Sequence, residues 1–248
     1  MEQGPTMKDL RRLYAEGKLN AAQSLFMAPR KPVEELYDCQ TDPHNIHNLA
    51  DSPKHQEILK RLRAEHQRWA LQTRDLGLIP EAIVQELGEK LGSRKAILER
   101  PGSEQYMRQL HEVADAANWQ NNPALLKRAL DDPDAAIRYW GLVGLTQSKE
   151  SAAGIREKLI KAMSDPSPIV RITAAKAAAQ YFDHPQAIPL LAKETTAHHE
   201  AVALSAVIAL DELGAKAKPA IEAIRNAANN KKSGYIPRVA EHALTQIS

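Results

Sequence analysis

The chain has 248 residues, 33 Lys and Arg against 31 Asp and Glu, a formal charge of +2, and one cysteine. With about +1 in each of residues 1–80 and 81–248, it lacks the basic excess of a dedicated nucleic-acid surface. A lone cysteine excludes an intramolecular disulfide. Aromatics make up only 4%, while Ala and Leu are frequent, which suits close-packed helices and not a sheet sandwich. The longest nearly apolar run, 201–210, falls short of a bilayer span. Met1-Glu2-Gln3-Gly4-Pro5 has no apolar core of a leader, so no signal peptide and a soluble chain are expected.

Taken in order, residues 7–16 and 19–27 read as helices separated by Gly17. Glu34-Glu35-Leu36-Tyr37-Asp38 reads as a short edge strand, and Asp42-Pro43 as a turn into the capped start of an amphipathic helix. Asp51 or Ser52 would cap the next helix, 53–71, with Pro53 at its first position. Ile58, Leu59, Leu62, His66 and Trp69 form its expected buried stripe. A single edge strand is marginal without partners, so this region is expected to be part of a larger sheet or to be covered by a partner.

The tract Glu34-Glu35-Leu36-Tyr37-Asp38, then Thr41-Asp42-Pro43-His44-Asn45-Ile46-His47-Asn48-Leu49-Ala50, closely resembles the tail motif of the sulfatase family, E-L-Y-D-L-x-x-D-P-x-E-x-x-N-L-A. The resemblance extends back through Met7-Lys8-Asp9-Leu10-Arg11-Arg12-Leu13 and Gly17-Lys18-Leu19, and forward to Trp69 and Leu76-Gly77-Leu78-Ile79-Pro80. It implies a sulfuric ester hydrolase whose nucleophile is a formylglycine, made from Cys or Ser in C/S-x-P-x-R, beside a Ca-type divalent cation. This sequence does not supply those parts. Cys39 is followed by Thr41 and Asp42-Pro43, so the motif fails, and Cys39 is expected to be a small buried apolar residue. No catalytic residue, metal ligand or cofactor is assigned in this chain, and the binding residues are left open. The resemblance covers a non-catalytic tail.

Residues 81–122 form a helical connector, with helices expected at 81–91 and 103–118, a break at Gly92 and Pro101-Gly102, Ser103 as a cap, and a closing turn at 119–122. Met107, Leu110, Val113, Ala114 and Ala117 give the second helix an apolar face, making it the first layer of a helical stack. From 123 onward the chain repeats. Asp131-Asp132-Pro133-Asp134-Ala135-Ala136-Ile137-Arg138 aligns with Ser164-Asp165-Pro166-Ser167-Pro168-Ile169-Val170-Arg171, and the anchors Ile137, Val170, Val202 and Ile236 recur every 32 to 34 residues. Such a period signals stacked helical hairpins. First helices are expected at 123–130, 152–163, 185–195 and 218–228, and second helices at 134–146, 168–182, 199–213 and 236–247.

The D-P-x-x-x-V/I-R signature of the first two units resembles HEAT repeats. That resemblance implies ladders between adjacent repeats built from Asp132 with Arg138 and Asp165 with Arg171, a structural role for both arginines. Tyr139 and Trp140 are read as packing between hairpins, and Lys231-Lys232 as a solvated loop. His44 with His47, and His198 with His199, lack a third ligand of suitable spacing and read as surface or capping residues. His111 and His242 read as helix-interface residues.

The expected fold is mainly α: a solenoid of about four hairpins at 123–248, preceded by the connector 81–122 and a sulfatase-like tail at 1–80 containing one strand at 34–38. The expected function is that of a non-catalytic C-terminal part of a sulfatase-like hydrolase, with repeats for a protein or polymeric substrate. The alternative is a stand-alone interaction scaffold. An upstream catalytic domain or another protein is the expected partner, without nucleic acid or membrane.

Overall fold

A computed structural model describes residues 4–28, 31–120 and 122–247. Outside them lie Met1-Glu2-Gln3 of the expected leaderless start, Pro29 and Arg30 of the tail approach, and Asn121 of the expected 119–122 turn. The chain divides into two compact units, Met1–Arg68 and Trp69–Ser248.

In the first unit, α1 (Pro5–Ala15) starts with Pro5 in its first turn and buries no residue. Gly17, at φ +65°, takes the left-handed turn that a side chain resists. The following helix α2 (Ala21–Leu25) is shorter than the expected 19–27. Asn20 sets its start through a capping box, accepting from Gln23 N at 2.9 Å while the Gln23 side chain accepts from Asn20 N at 2.9 Å. Pro53–His55 forms one 3₁₀ turn and leads into α3 (Gln56–Thr73).

Three expectations fail here. The strand at 34–38 does not form among the described residues, because nothing pairs with its edge and its backbone bonds locally instead. Cys39 is exposed, its Sγ 3.7 Å from Asn45 Oδ1. Apart from Leu59, which is buried, the expected stripe of α3 faces solvent: Ile58 is 43% exposed, Leu62 47% and Trp69 50%, and His66 is exposed too. Among the described residues of this unit, only Leu59 is a buried apolar side chain. Amphipathic spacing defines a face, but burial also requires something to cover it.

The second unit holds the core. After the last residues of α3 it continues with α4 (Glu81–Leu91), α5 (Ala96–Glu99) and α6 (Ser103–Asp115). Gly102, at φ +78°, occupies the position before α6, so Ser103 is its first residue and is itself buried, not the cap. A single π turn, Ala116–Gln120, extends α6, where the sequence suggests unbroken α-helix to residue 118. Gly144 explains how this wider turn fits: a Cβ there would lie 2.9 Å from Ala117 Cα and 2.7 Å from Leu126 Cδ1. The glycine lets the bulged backbone approach the next helix.

Four hairpins complete the chain. The first pairs α7 (Pro123–Ala129) with α8 (Ala135–Leu145); Asp134 caps α8 by accepting from Ala136 N at 2.9 Å. The second pairs α9 (Lys149–Ala153) and α10 (Arg156–Ala162) with α11 (Pro168–Phe182). The expected first helix 152–163 is thus split at Gly154-Ile155. The third pairs α12 (Ala187–Glu194) with α13 (Glu200–Leu213). In the fourth, a 3₁₀ segment (Gly214–Ala220) holding Pro219 precedes α14 (Ile221–Ala228), which packs on α15 (Ile236–Ile247). The second helices pack in series, α6 on α8, α8 on α11, α11 on α13 and α13 on α15. Their contacts are alanine-rich: Ala174, Ala175, Ala178, Ala206, Ala240 and Ala243 are all fully buried. Small residues allow close axes, and the neighbouring layer buries what one hairpin would expose.

Candidate functional site

The polar residues of the tail motif hold one another in place. Asn48 Oδ1 accepts from Leu36 N at 2.9 Å and Ala50 N at 3.0 Å, while its Nδ2 donates to Glu34 O at 3.0 Å. Asp42 Oδ2 accepts from Ile46 N at 2.8 Å and His47 N at 2.7 Å, which closes the Asp-Pro turn. Leu49 N donates to Leu36 O at 2.7 Å. Glu34 receives a fork from Arg63, whose Nε lies 2.5 Å from Oε1 and whose Nη2 bonds Oε2. The Asp38 carboxyl is held below its ordinary range by the Thr41 hydroxyl and then the Gln40 amide. Asn48 and Asp42 shape the backbone of the turn, and Glu34 ties it to Arg63 on α3.

His44 and His47 are exposed on that turn. Among the described residues no three His, Cys, Asp or Glu side chains converge as metal ligands would.

In the repeats the arginines form a ladder. Arg138 Nε and Nη2 donate to the two oxygens of Asp165 at 2.8 and 2.7 Å, and its Nη1 donates to Asp132 O and Pro133 O, each at 2.8 Å. Arg171 repeats the pattern one unit later, with Nη1 on Asp165 O at 2.8 Å and Pro166 O at 3.1 Å. Its carboxylate partner is Glu194, at 2.9 and 2.6 Å, because the third unit has lost the Asp-Pro sequence. The Asp132 carboxylate accepts from Gln109 Nε2 at 2.8 Å, so α6 supplies the first rung. Within a unit, arginine therefore meets the Asp backbone carbonyl. Between units it meets the next carboxylate.

The other expected positions of the repeats and connector lie in the second unit. His111 is buried on α6, and His242 Nδ1 lies 2.8 Å from Asp211 Oδ1 between α15 and α13. Trp140 Nε1 donates to Leu78 O at 2.7 Å, with Tyr139 set edge-on to its ring at 5.5 Å. Lys231 and Lys232 are exposed.

The contact of Trp140 with Leu78 introduces a feature that the sequence alone does not reveal. The connector does not trail away from the repeats. It is tied to α8 at Leu78, and α4 packs on α13, where Glu89 Oε1 lies 3.5 Å from His199 Nδ1. Ala82, Ile83 and Val84 are buried in the same core. Thus α4 is packed into the repeat core against α13. A groove of about 410 Å³ stays open over α8, α11 and α13, lined from Tyr139 and Val143 through Ile172 to Ile208 and Glu212. Burial pushes the Tyr139 phenol up, with Glu212 adding to the effect.

The profile of HEAT repeats matches residues 122–193 and 156–245, together half of the sequence. The chain belongs to the HEAT-repeat family. It is also similar to the ulvan-active sulfatase of Formosa agariphila, with 46% identity over 81 residues, 33% of this chain and 14% of that protein. The HEAT-repeat chain thus spans about a seventh of the curated relative it matches. No described helix is long and apolar enough to cross a membrane.

Proposed function

We propose that this HEAT-repeat chain is the non-catalytic C-terminal part of a sulfatase-like sulfuric ester hydrolase, inactive alone, with its repeats serving protein or substrate interaction. The observation that carries this reading is the 46% identity to a sulfatase over 81 residues, on a chain whose sequence holds no C/S-x-P-x-R. The exposed face of α3 supports it. A unit with Ile58, Leu62, Leu25 and Phe26 each more than two-fifths exposed and, among its described residues, a single buried apolar side chain is built to be covered. The formylglycine and Ca-type cation of the resembled family then belong to the catalytic portion.

The test co-expresses this chain with a sulfatase catalytic portion carrying C/S-x-P-x-R and measures aryl-sulfate hydrolysis by the joined and separate pieces. The expected result is association and activity only of the pair. Ile58→Glu with Leu62→Glu should abolish association while shifting the stability of the chain alone by only about 0.5 kcal/mol per site. Hydrolysis by the 248-residue chain unaided, or association indifferent to those two substitutions, would sink the proposal.

A stand-alone interaction scaffold is the second reading, favoured by the self-contained core of the repeat unit. It predicts a partner unrelated to sulfate esters and a chain whose α3 face stays uncovered.

A further inference from the structure

The arginine ladder lacks its third rung. In register with Arg138 and Arg171 the third hairpin has Ala203, and in register with Asp132 and Asp165 the fourth has Asn230. The local turn is kept. Asn230 Oδ1 accepts from Lys232 N at 2.9 Å, as Asp132 Oδ1 does from Asp134 N and Asp165 Oδ1 from Ser167 N, each at 2.8 Å. The side chains are what differ. Around the Arg138–Asp165 rung, the cavity between the first and second hairpins is about 270 Å³. The corresponding cavity between the third and fourth, bounded by Ala203 and Asn230, is about 450 Å³.

We infer that this larger cavity binds the guanidinium of an arginine side chain supplied by a protein partner. The two formed rungs show which acceptors such a group uses. Arg138 and Arg171 each give Nη1 to the carbonyls six and five residues before them. The carbonyls at those places before Ala203 belong to Ala197 and His198, which line the cavity and accept no hydrogen bond among the described residues. Asp165 Oδ1 accepts from both Ser167 N and Arg138 Nη2. Asn230 Oδ1 accepts from Lys232 N, which leaves its second lone pair for the same use. The negative charge has moved to the other wall: Glu200 lines this cavity where the first hairpin has Ala135, and Asn226 stands in register with Lys161. The hydroxyls of Thr195 and Thr196 are turned away, donating to Ala192 O and Lys193 O at 2.8 and 3.0 Å. Lys232 is exposed on the rim and opposes a cation. Three acceptors and a carboxylate suit a charged fork of N–H donors better than a point-like ammonium. The inference rests on the interaction role proposed for the repeats and stands apart from the sulfatase kinship of the tail.

The probe is N-acetyl-arginine methylamide, titrated against the intact isotope-labelled chain while its backbone amides are followed by NMR. The lysine and citrulline counterparts are titrated in parallel. The expected result is saturable shifts at 197–200 and 230–233, with the lysine compound binding at least about tenfold more weakly and the uncharged citrulline compound not at all. Glu200→Gln should weaken binding about threefold, and Lys232→Ala should strengthen it. The joint replacement Ala203→Arg with Asn230→Asp builds the rung from within, so it should abolish the shifts and raise Tm by about 2–4 °C. Absence of saturation overturns the inference, as does equal binding of the lysine or citrulline compound, or binding indifferent to Glu200→Gln. A joint replacement that lowers Tm overturns the register on which it stands, and one that leaves binding intact overturns the site. Free arginine binding more tightly than the blocked compound would overturn the protein source. None of these readouts involves sulfate hydrolysis, so this inference and the sulfatase reading can fail separately.

Discussion

Asp165→Ala tests whether the arginine ladder holds adjacent repeats together. Both side chains of the rung are largely buried, Arg138 at 13% exposure and Asp165 at 10%. The substitution removes two charge-assisted hydrogen bonds from Arg138, at 2.8 and 2.7 Å, and the acceptor for Ser167 N at 2.8 Å. Removing one partner of a buried pair costs about 3–5 kcal/mol, since the survivor keeps its desolvation penalty. Arg138 Nη1 retains the carbonyls of Asp132 and Pro133, so the loss should fall near the lower end, about 3 kcal/mol. For a unit of this size each kcal/mol moves Tm by about 2–4 °C, so the drop should be about 6–12 °C. Urea unfolding followed by circular dichroism measures the loss, with Asp165→Asn intermediate. The double replacement Arg138→Met with Asp165→Leu should cost far less than Asp165→Ala, within about 1 kcal/mol of the parent, because no charge is then stranded. A loss below about 1 kcal/mol for Asp165→Ala, or a double replacement as damaging as the single, would refute the argument.

Two other outcomes are expected from the packing. Gly144→Val should cost about 1–3 kcal/mol in the same unfolding assay, because its Cβ would meet Leu126 and the Ala117 backbone of the π turn, and backbone cannot step aside cheaply. Burial raises the phenol of Tyr106, with Asp134 adding to the rise, and burial also raises that of Tyr139. The folded state thus prefers both neutral, so their contribution is fully present below the ordinary phenol pKa of about 10 and is lost as pH climbs above it. Denaturation midpoints should fall between about pH 9 and pH 11, and Tyr106→Phe with Tyr139→Phe should flatten that fall.

The extent to which the sequence anticipates the structure varies along the chain. Val202, Ala206, Ala209 and Leu213 are all buried as their spacing implies, because in a repeat array the neighbour that covers each helix is written into the same sequence. Ile58, Leu62 and Trp69 have the same kind of spacing and are exposed. Their periodicity is local, whereas their cover is not supplied by the described residues. Likewise the Asp42-Pro43 turn forms as read, but Leu36 and Tyr37 form no strand, since a strand needs a second edge, and helix begins only at Pro53.

The sequence by itself determined the period and the mainly helical class, its resemblance to HEAT repeats implied the ladder role of Asp132, Arg138, Asp165 and Arg171, and the tail motif carried the resemblance to sulfatases. Period and class are short-range facts, fixed by spacing along one chain. Tertiary structure alone decided that Arg138 reaches across to Asp165 while Arg171 turns to Glu194, that Gly144 admits a π turn, and that α4 packs on α13. Each of those depends on which backbone comes close to which through space, and neither residue identity nor period encodes that distance.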